Sequence, residues 1–286
     1  MPNISPISEM MNNFDIRKPL SGQKKLLICG HRGDRTGADE NTMAAFRRAV
    51  KAGADLLETD VHMTKDGEIV LCHNGDIPGA GEIKDCTCEE LINAKPDLPK
   101  LSELVTFAKE HGQLGLIVEL KDYPSDIRSI TDPAIDPGLS PAEEAFAYGC
   151  ADKACDMLLD AALGERVWIC SFSGALMDHV YEKYGKAFRY HAFYPFFIQG
   201  KMRNDPAVYC ELCCMQHRFL DEAGRVIRYE DPLCPADWWQ KVRAMGMVPI
   251  AAPSLLTPEN FEEAVNRGAG MINSDDPKKH IRQFGL

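Results

Sequence analysis

The sequence predicts a (β/α)8 barrel, the TIM-barrel fold, as a single domain. Eight short apolar runs with the character of β-strands alternate with helical stretches, which is typical of a parallel sheet covered by helices. The chain has 286 residues, of which 45% are hydrophobic, and this suits a barrel with a large core. Charged side chains follow the first three runs, and barrel active sites lie at the C-terminal ends of strands. We expect the barrel over residues 26–286, after an N-terminal arm of residues 1–25.

The predicted elements follow one another in strand–helix order. The eight strands are Leu26–Gly30, Leu56–Val61, Leu114–Leu120, Arg166–Ser171, Phe188–Phe193, Tyr209–Met215, Met247–Ala251 and Gly270–Ile272. The helices between them are Thr42–Ala52, Leu101–His111, Pro141–Leu163, Gly174–Tyr184, Pro235–Met245 and Pro258–Asn266. Asn41 is a possible cap for the first helix, and Glu143 and Glu144 complement the dipole of the long Ala-rich helix. The segment Asp122–Pro141 is expected to form part of a substrate wall.

The second strand carries two carboxylates on one face. Side chains on a strand alternate between its faces, so Glu58 and Asp60 point the same way. Two neighbouring carboxylates repel each other unless a cation or a shared proton relieves them. The alternative is that both acids lie at a solvated strand end. A tight turn and the returning strand Glu68–His73 bring His73 back beside the pair, which indicates a site.

Short sequence blocks carry a family resemblance. In order and spacing, six blocks resemble the glycerophosphodiester phosphodiesterase family: His31-Arg32-Gly33, Glu40-Asn41-Thr42 with Ala45-Phe46 after it, Gly53-Ala54-Asp55, Glu58-x-Asp60-Val61, Thr64-Lys65-Asp66-Gly67 and Val70-x-x-His73. A seventh block, Val118-Glu119-Leu120-Lys121, is similar to the strand-borne E-x-K of that family. The resemblance is dense as far as Lys121 and thin afterwards.

The resemblance implies an enzyme, a phosphoric diester hydrolase, and a reaction. The family uses a divalent cation to hydrolyse glycerophosphodiesters to glycerol 3-phosphate and an alcohol, so a small-molecule phosphodiester is the expected partner. In that family the glycerol hydroxyl beside the phosphate attacks in line, and water then opens the cyclic phosphate. His31 and His73 match the catalytic pair, and imidazole titrates near neutrality. We expect His31 to be the base and His73 the acid that protonates the departing alcohol, although the order can be reversed.

Three carboxylates offer a metal site. Glu58, Asp60 and Glu119 supply hard oxygen ligands and no thiolate, which selects Mg²⁺ or Ca²⁺ over zinc. The family resemblance implies the same three residues as ligands. The alternative is that Glu119 and Lys121, two positions apart on one face of a strand, form only a salt bridge.

Positive charge for phosphate binding is expected from two side chains. Arg32 and Lys121 are the natural donors to phosphate oxygens. Glu40 either orients Arg32 or marks the start of the first helix. His62, next to the carboxylate pair on the second strand, is expected to be a structural histidine.

Departures from the family pattern bear on the substrate more than on the reaction. Asn74 follows the second histidine where the family has Asp, and Asp76 is a possible replacement. The seventh strand, Pro249–Pro253, lacks the aromatic residue of the family, and the ending Asn273–Pro277 is similar to its T-D-x-P. The aromatic side chains of Tyr194–Phe197 either line an alkyl or ring pocket or cover the barrel end.

Two other functions therefore stay open. One is a phosphodiesterase that acts on a different diester, with a sugar-phosphate or lysophospholipid headgroup. The other is a barrel that binds a phosphorylated ligand without turnover.

The composition argues against several protein classes. The chain has 32 basic and 43 acidic residues, and its net charge of -11 argues against a nucleic-acid-binding protein. Residues Met1–Lys24 lack the pattern of a secretory signal, and no run is long enough to cross a membrane. The eleven cysteines suit free thiols in the cytoplasm, the expected location. The alternative is zinc at Cys86-x-Cys88 or at Cys210–Cys214 with His217. The sequence does not specify an oligomeric state.

Overall fold

Eight parallel strands close into a barrel in the computed structural model, which describes residues 26–123, 141–200, 202–220, 225–253 and 257–286. The barrel strands are β1 (Leu27–His31), β2 (Leu56–Met63), β6 (Gly115–Leu120), β7 (Val167–Cys170), β8 (Arg189–Tyr194), β9 (Leu212–Met215), β12 (Val248–Ala251) and β13 (Met271–Ser274). They pair in this order, and β13 pairs with β1 to close the cylinder. The predicted fold class is confirmed. The predicted arm of residues 1–25 and nearly all of the predicted wall segment lie outside the described residues.

Among the described residues, five short strands lie outside the barrel wall. β3 (Ile69–Leu71) returns antiparallel to β2, as the sequence predicts, with Val61 opposite Leu71. Two hairpins were not predicted: β4 (Asp76–Ile77) with β5 (Gly81–Glu82), and β10 (Arg218–Leu220) with β11 (Val226–Arg228). The second hairpin follows the C-terminal end of β9, so it stands on the side of the barrel where active sites form.

The helices pack around the barrel. They are α1 (Met43–Ala52), α2 (Cys88–Ala94), α3 (Leu101–Glu110), α4 (Pro141–Asp160), α5 (Gly174–Tyr184), α6 (Pro206–Tyr209), α7 (Ala236–Ala244), α8 (Pro258–Asn266) and α9 (Pro277–Phe284). Single 3₁₀ turns lie at Ile83–Asp85, Gly164–Arg166, Gly185–Ala187 and Phe196–Gln199. The six predicted helices are present, whereas α2, α6 and α9 were not predicted. None of the described helices is long and apolar enough to cross a membrane.

Several element boundaries differ from the prediction by a few residues, and two of these differences have a local reason. The cap of α1 is Thr42, whose hydroxyl accepts a hydrogen bond from the Ala45 backbone, so the assignment of Asn41 as the cap is wrong. The sixth barrel strand begins at Leu212 and not at Tyr209, because Asp205 caps a short helix that ends at Tyr209.

Strand alternation divides the core into two layers. Leu57 and Val118 point outward and pack with helix side chains, whereas Leu56, Ile117 and Trp168 form a cluster that consists almost entirely of strand residues inside the barrel. The inward face of β2 continues from Leu56 through alternate residues to the two predicted carboxylates. The barrel interior is therefore apolar towards the N-terminal ends of the strands and charged at the mouth formed by their C-terminal ends.

Candidate active site at the mouth of the barrel

Three buried carboxylates converge at the ends of β2 and β6. Asp60 and Glu119 are register partners across the two strands, and Glu58 lies one pleat earlier on the same face of β2. One ligand atom from each of the three lies within 4.8 Å of the others, and the residues are 3% (Glu58), 0% (Asp60) and 7% (Glu119) exposed. Burial excludes the solvated strand end that was the alternative for the Glu58/Asp60 pair.

The donor set fits a hard divalent cation. All ligand atoms are carboxylate oxygens, and Asp60 Oδ1 is a buried atom without a hydrogen-bond partner among the described residues. Burial, followed by repulsion from Asp60, raises the pKa of Glu58 well above its usual value. Burial opposes ionisation of Asp60, but Lys121 and Arg32 outweigh it and lower its pKa to about 2. Three carboxylates face two cationic side chains here, and a bound divalent cation would offset the excess negative charge.

Lys121 lies against two of the three carboxylates. Its Nζ is 2.8 Å from Glu119 Oε1 and 3.4 Å from Asp60 Oδ1. Burial lowers the pKa of Lys121, but the charge of Glu119 and its neighbours outweighs burial and raises it well above the usual value. The Glu119–Lys121 ion pair is therefore present, and it does not exclude the metal site because Glu119 also belongs to the carboxylate group. The hydroxyl of Tyr123 donates to Glu119 Oε1 at 3.4 Å and was not predicted.

Arg32 connects the loop after β1 to the carboxylates. Its backbone N–H donates to Glu58 Oε2 at 2.9 Å, and its guanidinium Nε lies 3.3 Å from Asp60 Oδ2. Its Nη1 donates to both oxygens of Glu40 at 3.0 and 3.1 Å. Glu40 therefore orients Arg32. Gly33 follows with φ of 91°, and a Cβ there would lie 2.6 Å from the backbone of Ala45, so the motif needs glycine where this loop packs on α1.

His31 ends β1 and contacts a carboxylate from the opposite end of the chain. Its Nδ1 lies 2.6 Å from Asp275 Oδ1. Burial lowers the pKa of His31, and the hydrogen bond to Asp275 works against that shift. No partner for His31 was predicted. The only sequence signal was the likeness of Asn273–Pro277 to the family's final motif.

His73 has an amide partner. Its Nδ1 is 3.0 Å from Asn74 Oδ1, whereas Asp76 lies on β4 with an exposed side chain. Burial and then the charge of Lys121 lower the pKa of His73 to about 4. The Asp60 carboxylate works against the lowering of the pKa of both His73 and His31, so its charge acts on both imidazoles.

Asn41 is a site residue that the sequence analysis missed. Its Nδ2 donates to Asp60 Oδ2 at 2.8 Å, and its Oδ1 accepts from the Thr59 hydroxyl at 2.7 Å. By these two hydrogen bonds Asn41 fixes the orientation of the Asp60 carboxylate. The E-N-T block was the signal for it, but we assigned the residue to the helix cap.

The remaining polar candidates lie outside this group. His62 Nδ1 is 2.6 Å from Asp122 Oδ1, which fits the predicted structural role, although its Nε2 is buried without a partner among the described residues. All eleven cysteines are free. Among the residues that the structure describes, the carboxylate group is the cluster that could hold a metal ion, and neither cysteine segment forms one.

Aromatic side chains form two groups at and after the C-terminal ends of β7 and β8. Phe172 stacks on Phe193, with ring centroids 3.9 Å apart. Tyr194 at the end of β8 meets the rings of Phe196 and Trp238 edge-on at 5.2 and 5.1 Å, and Trp238 meets Tyr229 at 5.2 Å. We define the aromatic wall as Phe172, Phe193, Tyr194, Phe196, Tyr229 and Trp238. Its neighbour Trp239 is buried against the barrel.

The predicted site residues on the charged side of the mouth lie in a segment that matches a known sequence family. A model of the Glycerophosphoryl diester phosphodiesterase family matches residues 31–195, more than half of the chain. The chain belongs to this family. The match spans every predicted site residue but stops before Asp275.

Curated relatives of the glycerophosphoryl diester phosphodiesterase family match shorter segments. The chain is 37% identical over 117 residues to the putative glycerophosphodiester phosphodiesterase YhdW of Bacillus subtilis, which covers 36% of this chain and 47% of that protein. It is 46% identical over 71 residues to a glycerophosphodiester phosphodiesterase of Caldanaerobacter subterraneus, covering 23% of this chain and 29% of the relative. The chain thus spans about half the length, or less, of these relatives.

Solved structures share the fold. A putative glycerophosphodiester phosphodiesterase from Galdieria sulphuraria superposes with a TM-score of 0.68 at 20% identity, over 92% of this chain and 100% of that one. A phosphodiesterase from Oleispira antarctica, solved in complex with the product sn-glycerol-3-phosphate, gives a TM-score of 0.65 at 17% identity, over 91% and 97% of the two chains. At such identities the likeness concerns the barrel itself.

Proposed function

We propose that this protein is a metal-dependent phosphodiesterase that hydrolyses glycerophosphodiesters to glycerol 3-phosphate and an alcohol, acting in the cytoplasm. The observation that carries the proposal is the buried group of Glu58, Asp60 and Glu119, and the charge of Asp60 acts on both predicted histidines. Mg²⁺ or Ca²⁺ held by these carboxylates would neutralise the charge of the diester and polarise its phosphorus.

Arg32 and Lys121 bind the phosphate in this proposal. Both cations are largely buried and lie against Asp60, so they offer charge where a phosphodiester would meet the carboxylate group. Their charge also explains how an anionic substrate enters a protein whose net charge is -11.

The two histidines divide the proton transfers. His31 takes the proton from the glycerol hydroxyl that attacks phosphorus, and His73 gives a proton to the departing alcohol. In the free protein Lys121 helps to keep His73 neutral. An anionic phosphate beside Lys121 offsets that charge and favours protonated His73, as the acid role requires. In the second step the roles reverse, and His73 accepts the proton of the water that opens the cyclic phosphate.

The test is release of glycerol 3-phosphate from a panel of glycerophosphodiesters, with and without chelator. We expect release that stops with chelator and returns with Mg²⁺ or Ca²⁺. Asp60→Asn should abolish it, while Glu89→Gln, an exposed acid on α2, should not. Binding of a phosphorylated ligand without any metal-dependent hydrolysis would leave a non-catalytic barrel.

The aromatic wall favours a second candidate, a diester with an apolar leaving group such as a lysophospholipid. The ring centre of Phe172 lies 5.9 Å from Lys121 Nζ, so the stacked Phe172–Phe193 pair offers apolar surface to the part of a substrate beyond the phosphate. Trp238→Leu should then raise KM for a long-chain diester by about tenfold and leave a short-chain diester unaffected. Equal effects on both diesters would exclude this candidate.

A further inference from the structure

Barrel closure places Asp275 against His31. The two residues are 244 positions apart in sequence, but β1 and β13 pair in parallel with Gly30 opposite Ser274. The residues that follow each of these partners therefore emerge side by side at the mouth. Asp275 Oδ1 lies 2.6 Å from His31 Nδ1, an ideal hydrogen-bond distance for a carboxylate acceptor.

The contact with Asp275 assigns the protons of the His31 ring. Arg35 Nη1 also lies 3.5 Å from His31 Nδ1, but the contact with Asp275 is far shorter at 2.6 Å. A carboxylate accepts and cannot donate, so the Nδ1 of His31 carries the hydrogen and its Nε2 keeps a free lone pair. The carboxylate also stabilises the imidazolium that forms when His31 takes a proton. His73 differs, because its Nδ1 faces the neutral amide of Asn74 at 3.0 Å. The carboxylate partner therefore distinguishes His31 from His73.

Asp275 needs a second contact to stay in place, because its side chain is 46% exposed. Arg35 supplies it. Its Nη1 donates to Asp275 Oδ1 at 3.1 Å, and its backbone N–H donates to the carbonyl of Asp275, also at 3.1 Å. The same oxygen of Asp275 thus accepts from both His31 and Arg35, and the backbone contact fixes the loop that carries Arg35 to the end of β13.

Arg35 is itself held from the other side. Its Nη2 lies 2.7 Å from Glu40 Oε2, and Glu40 also binds Nη1 of Arg32. Arg32 in turn lies 3.3 Å from Asp60. Acidic and basic side chains alternate from Asp275 through Arg35, Glu40 and Arg32 to Asp60, so the partner of His31 is tied to the carboxylate group.

We propose that Asp275 is a positioning residue that holds His31 with Nε2 free for proton transfer, and that Arg35 fixes Asp275 in that position. The kinetic consequences rest on the proposed phosphodiesterase function. The arrangement of the His31 ring can be tested without activity.

The first experiment is a double-mutant cycle on glycerol 3-phosphate release. Asp275→Asn should lower kcat by about 10–10²-fold with little change in KM, less than for a fully buried triad carboxylate because Asp275 is partly solvated. In the His31→Ala background, Asp275→Asn should not lower kcat any further, because its effect acts through His31. The same loss in both backgrounds would overturn the proposal.

Asp276→Asn is the matched control. Asp276 is the next residue, and its carboxylate accepts from the Lys279 backbone at the start of α9. We expect kcat to stay within twofold of the wild type. A loss like that of Asp275→Asn would mean that any charge change at this chain end disturbs the mouth, and the proposal would fail. Arg35→Met should lower kcat by about 2–10-fold, and this loss should vanish in the Asp275→Asn background.

The second experiment reads the His31 ring directly by ¹⁵N NMR, with the signal assigned by its loss in His31→Gln. We expect hydrogen on Nδ1 in the wild type and a shift towards hydrogen on Nε2 in Asp275→Ala. Hydrogen on Nε2 in the wild type would overturn the proposal, whether or not the protein hydrolyses a diester. If the expected protonation is found but no diester is hydrolysed, the positioning by Asp275 stands and the proposed function fails.

Discussion

The two sides of the barrel mouth differ in chemistry and in origin. The charged side, at the ends of β1, β2 and β6, holds Glu58, Asp60 and Glu119 with Lys121 among them. The aromatic wall comes from β7, β8, the segment after β11 and the start of α7. In the proposed function, the reaction and the choice of substrate are therefore carried by separate parts of the chain.

The two sides also obey different constraints. On the charged side each carboxylate has cationic or amide neighbours that set its protonation, so single substitutions leave a buried charge without its partner. On the aromatic wall, rings contact rings, and a substitution changes area and shape more than charge. Lys121 lies at the border, with its Nζ 5.9 Å from the ring centre of Phe172. Substitutions on the charged side should therefore have the larger effects.

Removal of one carboxylate is the largest expected effect. Glu119→Gln keeps the size of the side chain but removes one charged ligand, so we expect hydrolysis to fall by roughly 10³-fold and cation affinity to fall with it. Calorimetric titration with Mg²⁺ and Ca²⁺ measures the second quantity. Unchanged cation affinity would place the metal elsewhere and break the comparison.

The histidines should respond differently to the leaving group. His73→Ala should lower activity on an alkyl diester on the order of 10²–10⁴-fold. The loss on an activated aryl diester should be much smaller, because the aryl group leaves without protonation. His31→Ala should lose activity on both, because the attacking hydroxyl must still give up its proton. Both diesters must carry glycerol, so that the nucleophile is the same. If His31→Ala shows the leaving-group dependence, the two roles are exchanged.

Lys121→Met tests the border between the two sides. Loss of its charge should raise KM for an anionic diester by about tenfold, while cation affinity should stay the same or increase because a competing positive charge is gone. Steady-state kinetics and calorimetry give the two values. A strong loss of cation affinity without a change in KM would make Lys121 a partner that only orients Glu119.

The smallest expected effect concerns His191, a titratable group below the aromatic wall. His191 is buried beside Phe193 with both ring nitrogens unpartnered among the described residues, and burial lowers its pKa to about 3. The unfolded chain binds this proton near pH 6.5, so stability is full above that pH and falls as the pH drops towards the folded value. The slope from this group is at most about 1.4 kcal/mol per pH unit.

His191→Leu should therefore flatten the acid side of the stability curve. Urea unfolding at pH 7 and pH 5 measures the difference, which we expect to shrink by about 1–2 kcal/mol relative to the wild type. The other histidines are common to both proteins and cancel. An unchanged difference would show that His191 finds a partner at acidic pH.

Several parts of the protein follow from the sequence alone. The alternation of apolar strands with helices predicts the barrel, and the two-residue period of β2 places Glu58 and Asp60 on one face. The tight turn after β2 makes β3 run back antiparallel to β2, and this brings His73 back beside the carboxylate pair. These features depend on consecutive residues, so local periodicity and turn chemistry are sufficient to predict them.

Tertiary structure decided the rest. Asp275 meets His31 only because β13 closes on β1, and the register of that pairing sets which residue follows it at the mouth. Asn41 binds Asp60 where local pattern favours a helix cap, because a buried carboxylate competes for its amide. Trp238 joins the aromatic wall through Tyr194, which is far away in the chain. Such contacts depend on closure and packing between distant segments, which no local period in the sequence records.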